Sequence, residues 1–143
     1  MINILLPVFN EEQNILPLLS NLQKLWIDKQ IKEIGKIIII DDGSVDKTSE
    51  IIGEFNEKLK NSPDENFKIK YIKHSKNLGL GVAVKTGFEF VINQEADNND
   101  TLITMDGDNS HTVEQIKSIL ETCCLRNKKQ VGYKVDKVLK EES

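Results

Sequence analysis

The chain has 143 residues, 29% of them charged, and a formal net charge of -4. That length suits one domain with a real core, and the acid excess excludes the basic footprint that nucleic-acid binding needs. No apolar stretch approaches the roughly 20 residues of a membrane span, and the apolar run in "MINILLPVFNEE" is too short and too acid-flanked for a signal peptide, so the expected location is cytoplasmic.

The first element is "INILLPV" at 2 to 8, an apolar run of strand length. Ile15, Leu18, Leu19, Leu22, Leu25 and Trp26 then recur at threes and fours and share a helix face, with Trp26 read as core. Asn10 is the expected cap of that helix and Gln13 the closing member of a capping box. Pro17 predicts that the regular helix starts near it, and Glu12 reads as a solvated acid favoured by the helix dipole. "KIIIIDD" at 36 to 42 is apolar on both faces, as a central parallel strand should be. Ile51, Ile52, Phe55 and Leu59 form a second helical stripe, with Asp46 and Thr48 read as capping residues.

After the solvated loop "KNSPDENFK", "FKIKYIKH" at 67 to 74 alternates like a strand nearer an edge. His74 reads as structural. "GVAVKTGFEFVIN" is a third helix, "TLITMDG" at 101 to 107 a fourth strand, and "TVEQIKSILETCC" a fourth helix with Val113, Ile116, Ile119, Leu120 and Cys123 on one side. The adjacent Cys123 and Cys124 cannot staple distant segments or complete a zinc site. Residues 1 to 125 read as one domain and 126 to 143 as a polar tail holding a short strand at 131 to 135, a final helix, or frayed chain.

Alternating strands and helices imply a parallel sheet with right-handed crossovers. Ligands bind at the carboxyl ends of such strands, and polar punctuation falls at each one: "PVFNEE", "DDGSVDKT", "HSKNLGLG" and "DGDNSH". In the last, Asp106 and Asp108 flank Gly107, a placement that suits a hard cation. An ordinary turn also favours Asp and Gly. A calcium loop is excluded because His111 and Lys117 stand where it needs Gly and Glu. "LGLG" is not a dinucleotide fingerprint, because Val84 occupies the third glycine position.

Across about residues 2 to 120, these segments resemble in order the GT-A fold, family 2 glycosyltransferases, closest to the polyprenyl-phosphate group that includes dolichol-phosphate mannose synthase. "LLPVFNEEQNI", "IIIIDDGSVDKT", "NLGLGVAVKTGF" and "MDGDNSH" carry the likeness. It implies an α/β, Rossmann-like GT-A fold and a nucleotide-diphosphate sugar donor, UDP- or GDP-linked. Pro7, Phe9 and Glu11 are expected to line the nucleoside pocket, and Asp41 and Asp42 to hydrogen-bond base and ribose. Asp108 is expected as the main ligand of Mg²⁺ or Mn²⁺, with Asp106 contacting ribose and the ion's water shell and Ser110 completing the metal site. Asp106 and Asp108 are thus the expected catalytic residues. The family often has tyrosine where Phe9 stands; stacking survives that change and the hydroxyl is lost. Gly43, Gly79 and Gly81 are expected to free the backbone near the ligand, and Lys76 or Lys85 to offset diphosphate charge.

Such enzymes have a second half that supplies the acceptor site, and no second acidic motif follows here. The chain therefore reads as the donor-binding half of a glycosyltransferase, with a partner chain or peripheral membrane contact supplying the rest. A polyprenyl-phosphate acceptor needs no protein base, because its oxygen is already ionised. Two alternatives remain: a nucleotide-binding module without transfer, and a phosphohydrolase with Asp106 as nucleophile.

Overall fold

A computed structural model describes residues 2–27, 34–62, 67–94 and 100–127. Strand and helix alternate: β1 (Ile2–Val8), α1 (Ile15–Ile27), β2 (Ile34–Asp41), α2 (Thr48–Lys60), β3 (Lys68–Lys73), α3 (Leu80–Asn93), β4 (Thr101–Thr104) and α4 (Val113–Asn127). The four strands pair in parallel in the order β3-β2-β1-β4. This is the expected α/β architecture.

The two inner strands are apolar on both faces because both faces are covered. Ile2, Ile4, Leu6 and Val8 of β1 join Ile37 and Ile39 of β2 beneath α1, α2 and α4. Leu5, Ile38 and Ile40 face the other way, onto α3. Ile37 to Ile40 are at most 1% exposed, which is why "IIII" shows no alternation. β3 lies at the edge and alternates, with Lys68, Lys70 and Lys73 exposed. Trp26 packs against the core, its ring centroid 6.4 Å from that of Phe67.

The chain reverses direction across the sheet after β3. α3 carries it from that edge to the opposite one, where β4 pairs with β1. α3 presses closely on the sheet: a Cβ at Gly87 would sit 2.3 Å from Leu5 Cδ1. The last glycine of "NLGLGVAVKTGF" therefore serves packing, as does the fully buried Ala83.

Several local expectations are corrected. Asn10 does not cap α1: it sits at φ 51 and its side chain reaches the β2–α2 loop. The carbonyl of Glu11 receives the N–H groups of Asn14 and Ile15 instead. Pro17 falls in the first turn of α1, where its missing N–H costs nothing. The reciprocal capping box belongs to α4, where Thr112 Oγ1 accepts from Gln115 N–H (3.1 Å) and Gln115 Oε1 from Thr112 N–H (2.8 Å). Ile119 is 38% exposed and so lies off the buried stripe of Ile116 and Leu120. β4 ends at Thr104, earlier than expected, although Met105 N–H still reaches Leu5 O at 3.0 Å. α4 ends at Asn127. The short strand at 131 to 135, or the final helix, expected in the tail lies outside the described residues. Among the described residues no helix is long and apolar enough to cross a membrane.

Candidate functional site

The loops after β1 and β2 are tied together by five hydrogen bonds between their polar residues. Asn10 N–H donates to Ser44 Oγ (2.9 Å), and Val45 N–H donates to Asn10 Oδ1 (2.9 Å). Glu11 N–H donates to Thr48 Oγ1 (2.9 Å), Glu12 N–H to Asp46 Oδ2 (3.2 Å), and Lys47 N–H to Glu12 Oε2 (3.1 Å). Asp46 Oδ1 also accepts from the N–H of Thr48, but the N-cap position of α2 is Lys47 and carries no side-chain cap, so the expected capping by Asp46 and Thr48 is corrected: Asp46 braces the turn just before the helix, and Thr48 is its first residue. Glu12 is thus not merely a solvated acid: it links the two loops.

The end of β2 is closed further by its own aspartates. Asp41 has no exposed surface. Its Oδ1 accepts from Ser44 N–H (2.8 Å) and its Oδ2 from Tyr71 Oη (2.5 Å) and Ser49 Oγ (3.0 Å). Lys73 Nζ donates to Ser49 Oγ at 2.8 Å. Burial pushes the Asp41 carboxyl up, but hydrogen bonds from Tyr71, Ser44 and Ser49 together hold it below the ordinary 3.8. Burial, reinforced by Asp41, pushes the Tyr71 phenol up. The Asp41 side chain thus shapes the turn that follows β2.

Asp42 is 4% exposed and grips the next loop. Its Oδ1 receives Leu78 N–H (2.9 Å) and lies 2.9 Å from His74 Nδ1; its Oδ2 receives Gly79 N–H (2.9 Å). Burial raises its carboxyl, and these bonds, with His74 first, outweigh that and lower it. Gly43 follows at φ +79, and a Cβ there would lie 2.5 Å from the Lys76 carbonyl carbon, so only glycine lets the two loops meet. Gly79, at φ +100, has a comparable backbone need; Gly81 is helical with open space around its Cβ position. Lys85 points along α3, 4.0 Å from Glu89 and 75% exposed.

The end of β4 is built differently. Asp106 and Asp108 are both exposed. Asp108 accepts from Ser110 N–H (3.0 Å), and hydrogen bonding from Ser110, side chain first and then backbone, holds its carboxyl below 3.8. Asn109 sits at φ 57, and its buried Oδ1 has no hydrogen-bond partner. The turn lies against the end of β1: a Cβ at Gly107 would be 2.6 Å from Val8 Cγ1 and 3.3 Å from Pro7 O. Phe9, just beyond, is 41% exposed.

The four segments singled out in the sequence thus meet at one edge of the sheet. The first is bonded to the second, the second packed on the third, and the fourth set against the first. The donor set of Asp106, Asp108 and Ser110 is all oxygen, two carboxylates and a hydroxyl, the ligand type that Mg²⁺ or Mn²⁺ takes. Among the described residues no group of three or more His, Cys, Asp and Glu side chains could cage a metal. Two carboxylates and a hydroxyl would leave the remaining positions of such an ion to phosphate and water oxygens.

His74 and Tyr71 were not anticipated as site residues. Their partners lie 32 and 30 residues away in the chain, and no local spacing marks such pairs. The one available signal was that both sit in or just beyond β3, at the edge where the other segments converge.

A parallel sheet that reverses its strand order between β1 and β4, with carboxylates at that reversal, defines a Rossmann-like α/β fold. The chain belongs to glycosyl transferase family 2, whose family model matches residues 3–142. An undecaprenyl-phosphate 4-deoxy-4-formamido-L-arabinose transferase of Photorhabdus laumondii is 32% identical over 121 residues, covering 85% of this chain and 33% of its own. A UDP-N-acetylglucosamine–dolichyl-phosphate N-acetylglucosaminyltransferase of Methanococcus voltae is 32% identical over 126 residues, covering 85% and 46%. The chain thus spans under half the length of these relatives. Among solved structures, a Pyrobaculum calidifontis mannosyltransferase in complex with GDP-Man and Mn²⁺ superposes with a TM-score of 0.57 at 16% identity, over 75% of this chain and 27% of that one. At that identity the likeness is one of fold, and it matches the expected GT-A architecture.

Proposed function

We propose that this chain forms the donor-binding half of a metal-dependent, inverting glycosyltransferase that uses a nucleotide-diphosphate sugar and serves a polyprenyl-phosphate acceptor at the cytoplasmic face of a membrane. The observation that carries the reading is that four polar strand ends meet at one edge of the sheet, with the turn holding the exposed carboxylates Asp106 and Asp108 set against the end of β1 just before the exposed Phe9. The family match and the polyprenyl-phosphate relatives support it.

In this reading Phe9 stacks on the base and Pro7 and Glu11 line its pocket. Asp42 presents its carboxylate to the base edge, and Asp41 holds the turn that sets Asp42 in place. Asp108, Asp106 and Ser110 would hold a Mg²⁺ or Mn²⁺ ion, which would supply positive charge for the diphosphate leaving group. The interlocked β1 and β2 loops keep the pocket in its binding geometry before the donor arrives, so little ordering remains at binding. The acceptor phosphate oxygen is already ionised, so positioning replaces base catalysis. Val45, Leu78, Leu80 and Val82 are exposed on the loops and helix start at this edge, apolar surface suited to a lipid-linked acceptor.

The test is donor turnover with UDP- and GDP-sugars, Mn²⁺ and a polyprenyl phosphate, comparing the parent with Asp108→Ala. Loss of turnover in the variant is expected. Equal turnover would overturn the assigned site, and metal-dependent nucleotide binding with no turnover at all would leave a binding module.

A further inference from the structure

The Asp42 carboxylate is nearly full. A carboxylate offers about four acceptor positions, two on each oxygen. Asp42 Oδ1 faces two donors, His74 Nδ1 and Leu78 N–H, both at 2.9 Å. Oδ2 faces one, Gly79 N–H at 2.9 Å. One position on Oδ2 is left.

His74 is fixed in this arrangement from its other side. Its Nε2 lies 2.8 Å from Thr86 Oγ1 on α3, and the Thr86 hydroxyl is within 3.0 Å of Val82 O one turn earlier. The imidazole side chain is only 10% exposed. Turning it away from Asp42 would break both ring contacts. The two amides are equally fixed, because they belong to the loop packed on Gly43. Oδ1 therefore cannot be cleared for an incoming ligand by a side-chain rotation alone.

We infer that His74 is a specificity-determining residue that makes this site select uracil over guanine, by occupying the carboxylate position that guanine's second N–H would need. The inference rests on the proposed contact between Asp42 and the base. Uracil presents a single N–H on its pairing edge, flanked by two carbonyls, and one acceptor position satisfies it. Guanine presents N1–H and an amino N–H side by side, a pair that takes one oxygen each of a carboxylate. At Asp42 the second of these meets an oxygen already facing two donors. Cytosine fails for another reason: its ring nitrogen on that edge is an acceptor and faces the carboxylate lone pairs.

The test is calorimetric titration of the intact chain with UDP, GDP and CDP in the presence of Mn²⁺. UDP is expected to bind about tenfold or more tightly than either of the others, the range that one unmet buried donor produces. GDP binding as tightly as UDP overturns the inference while leaving the donor-site reading standing. No binding by any of the three overturns both. His74→Phe removes the ring donors and is expected to narrow the UDP-to-GDP ratio, chiefly by tightening GDP, whereas His74→Gln, which keeps an N–H donor, is expected to preserve it. Equal weakening of both nucleotides by His74→Phe would make the residue structural only and overturn the assignment. If the phenylalanine variant does not fold, a parent that binds GDP as tightly as UDP still overturns the inference.

Discussion

The ends of β1 and β2 and the end of β4 carry similar residues and use them in opposite ways. At the first, Asn10, Glu12, Asp41, Ser44, Asp46 and Thr48 all have partners within the protein, and Asp41 and Thr48 have no exposed surface. At the second, Asp106 and Asp108 are exposed, and the side-chain oxygen Oδ1 of Asn109 is buried without a hydrogen-bond partner. Polar groups satisfied internally hold a shape; carboxylates left facing out attract a cation or a donor from outside. One region is a frame already complete in the free protein, and the other leaves its carboxylates open to solvent.

Substitutions separate the two regions. The largest functional effect is expected from Asp108→Ala. It should weaken metal-dependent nucleotide binding by about 100-fold or more, the scale of losing a key electrostatic contact. Stability should stay within about 0.5 kcal/mol, as for an exposed residue. Calorimetry and chemical denaturation on the same sample check both halves. The largest stability effect is expected from Gly43→Ala, which places a Cβ 2.5 Å from backbone at φ +79. A loss of about 3 kcal/mol or more follows from the left-handed backbone and the clash together. A midpoint in denaturant unchanged from the parent would break the comparison.

Thr48→Ala should cost about 1–2 kcal/mol, since it strips the acceptor from Glu11 N–H and the hydroxyl donor from Asp46. Nucleotide affinity should fall with it, because the loop carrying Phe9 and Glu11 loses a tether.

The smallest effect concerns pH. Asp41, Asp42 and Asp46 all titrate below 3.8 in the folded chain. A carboxylate depressed on folding adds stability that is fully present above its unfolded value and is lost as pH falls through the folded one. Stability should therefore be flat in these groups from neutrality down to about pH 4 and decline below it. Asp41→Asn should shallow that decline, measured as denaturant midpoints from pH 5 to pH 2.

The four strands were legible because burial on both faces leaves uninterrupted apolar runs, and the alternation of "FKIKYIK" correctly marked β3 as an edge. The helices were legible from stripes such as Leu18, Leu19 and Leu22, all fully buried. Caps were harder. The Asn10 and Gln13 spacing mimics a capping box, yet Asn10 is drawn away by Val45, a partner 35 residues distant. The convergence of four strand ends followed from topology alone. The division of labour within them did not, because whether an aspartate faces solvent or a neighbour depends on loops packed from elsewhere. Asp41 and Asp42 are adjacent, yet Tyr71 claims one and His74 the other.

The central claim is that the complete frame and the open β4 turn jointly form a nucleotide-diphosphate site. Thermal unfolding of the chain with UDP and with GDP, each with and without Mn²⁺, tests it most directly. Ligand at about 100 times its dissociation constant adds roughly 2.7 kcal/mol and raises the midpoint by several degrees. The account predicts such a rise only when nucleotide and metal are both present, and its loss in Asp108→Ala. A cooperatively unfolding sample whose midpoint moves with no nucleotide–metal pair, or moves equally in the variant, would contradict it.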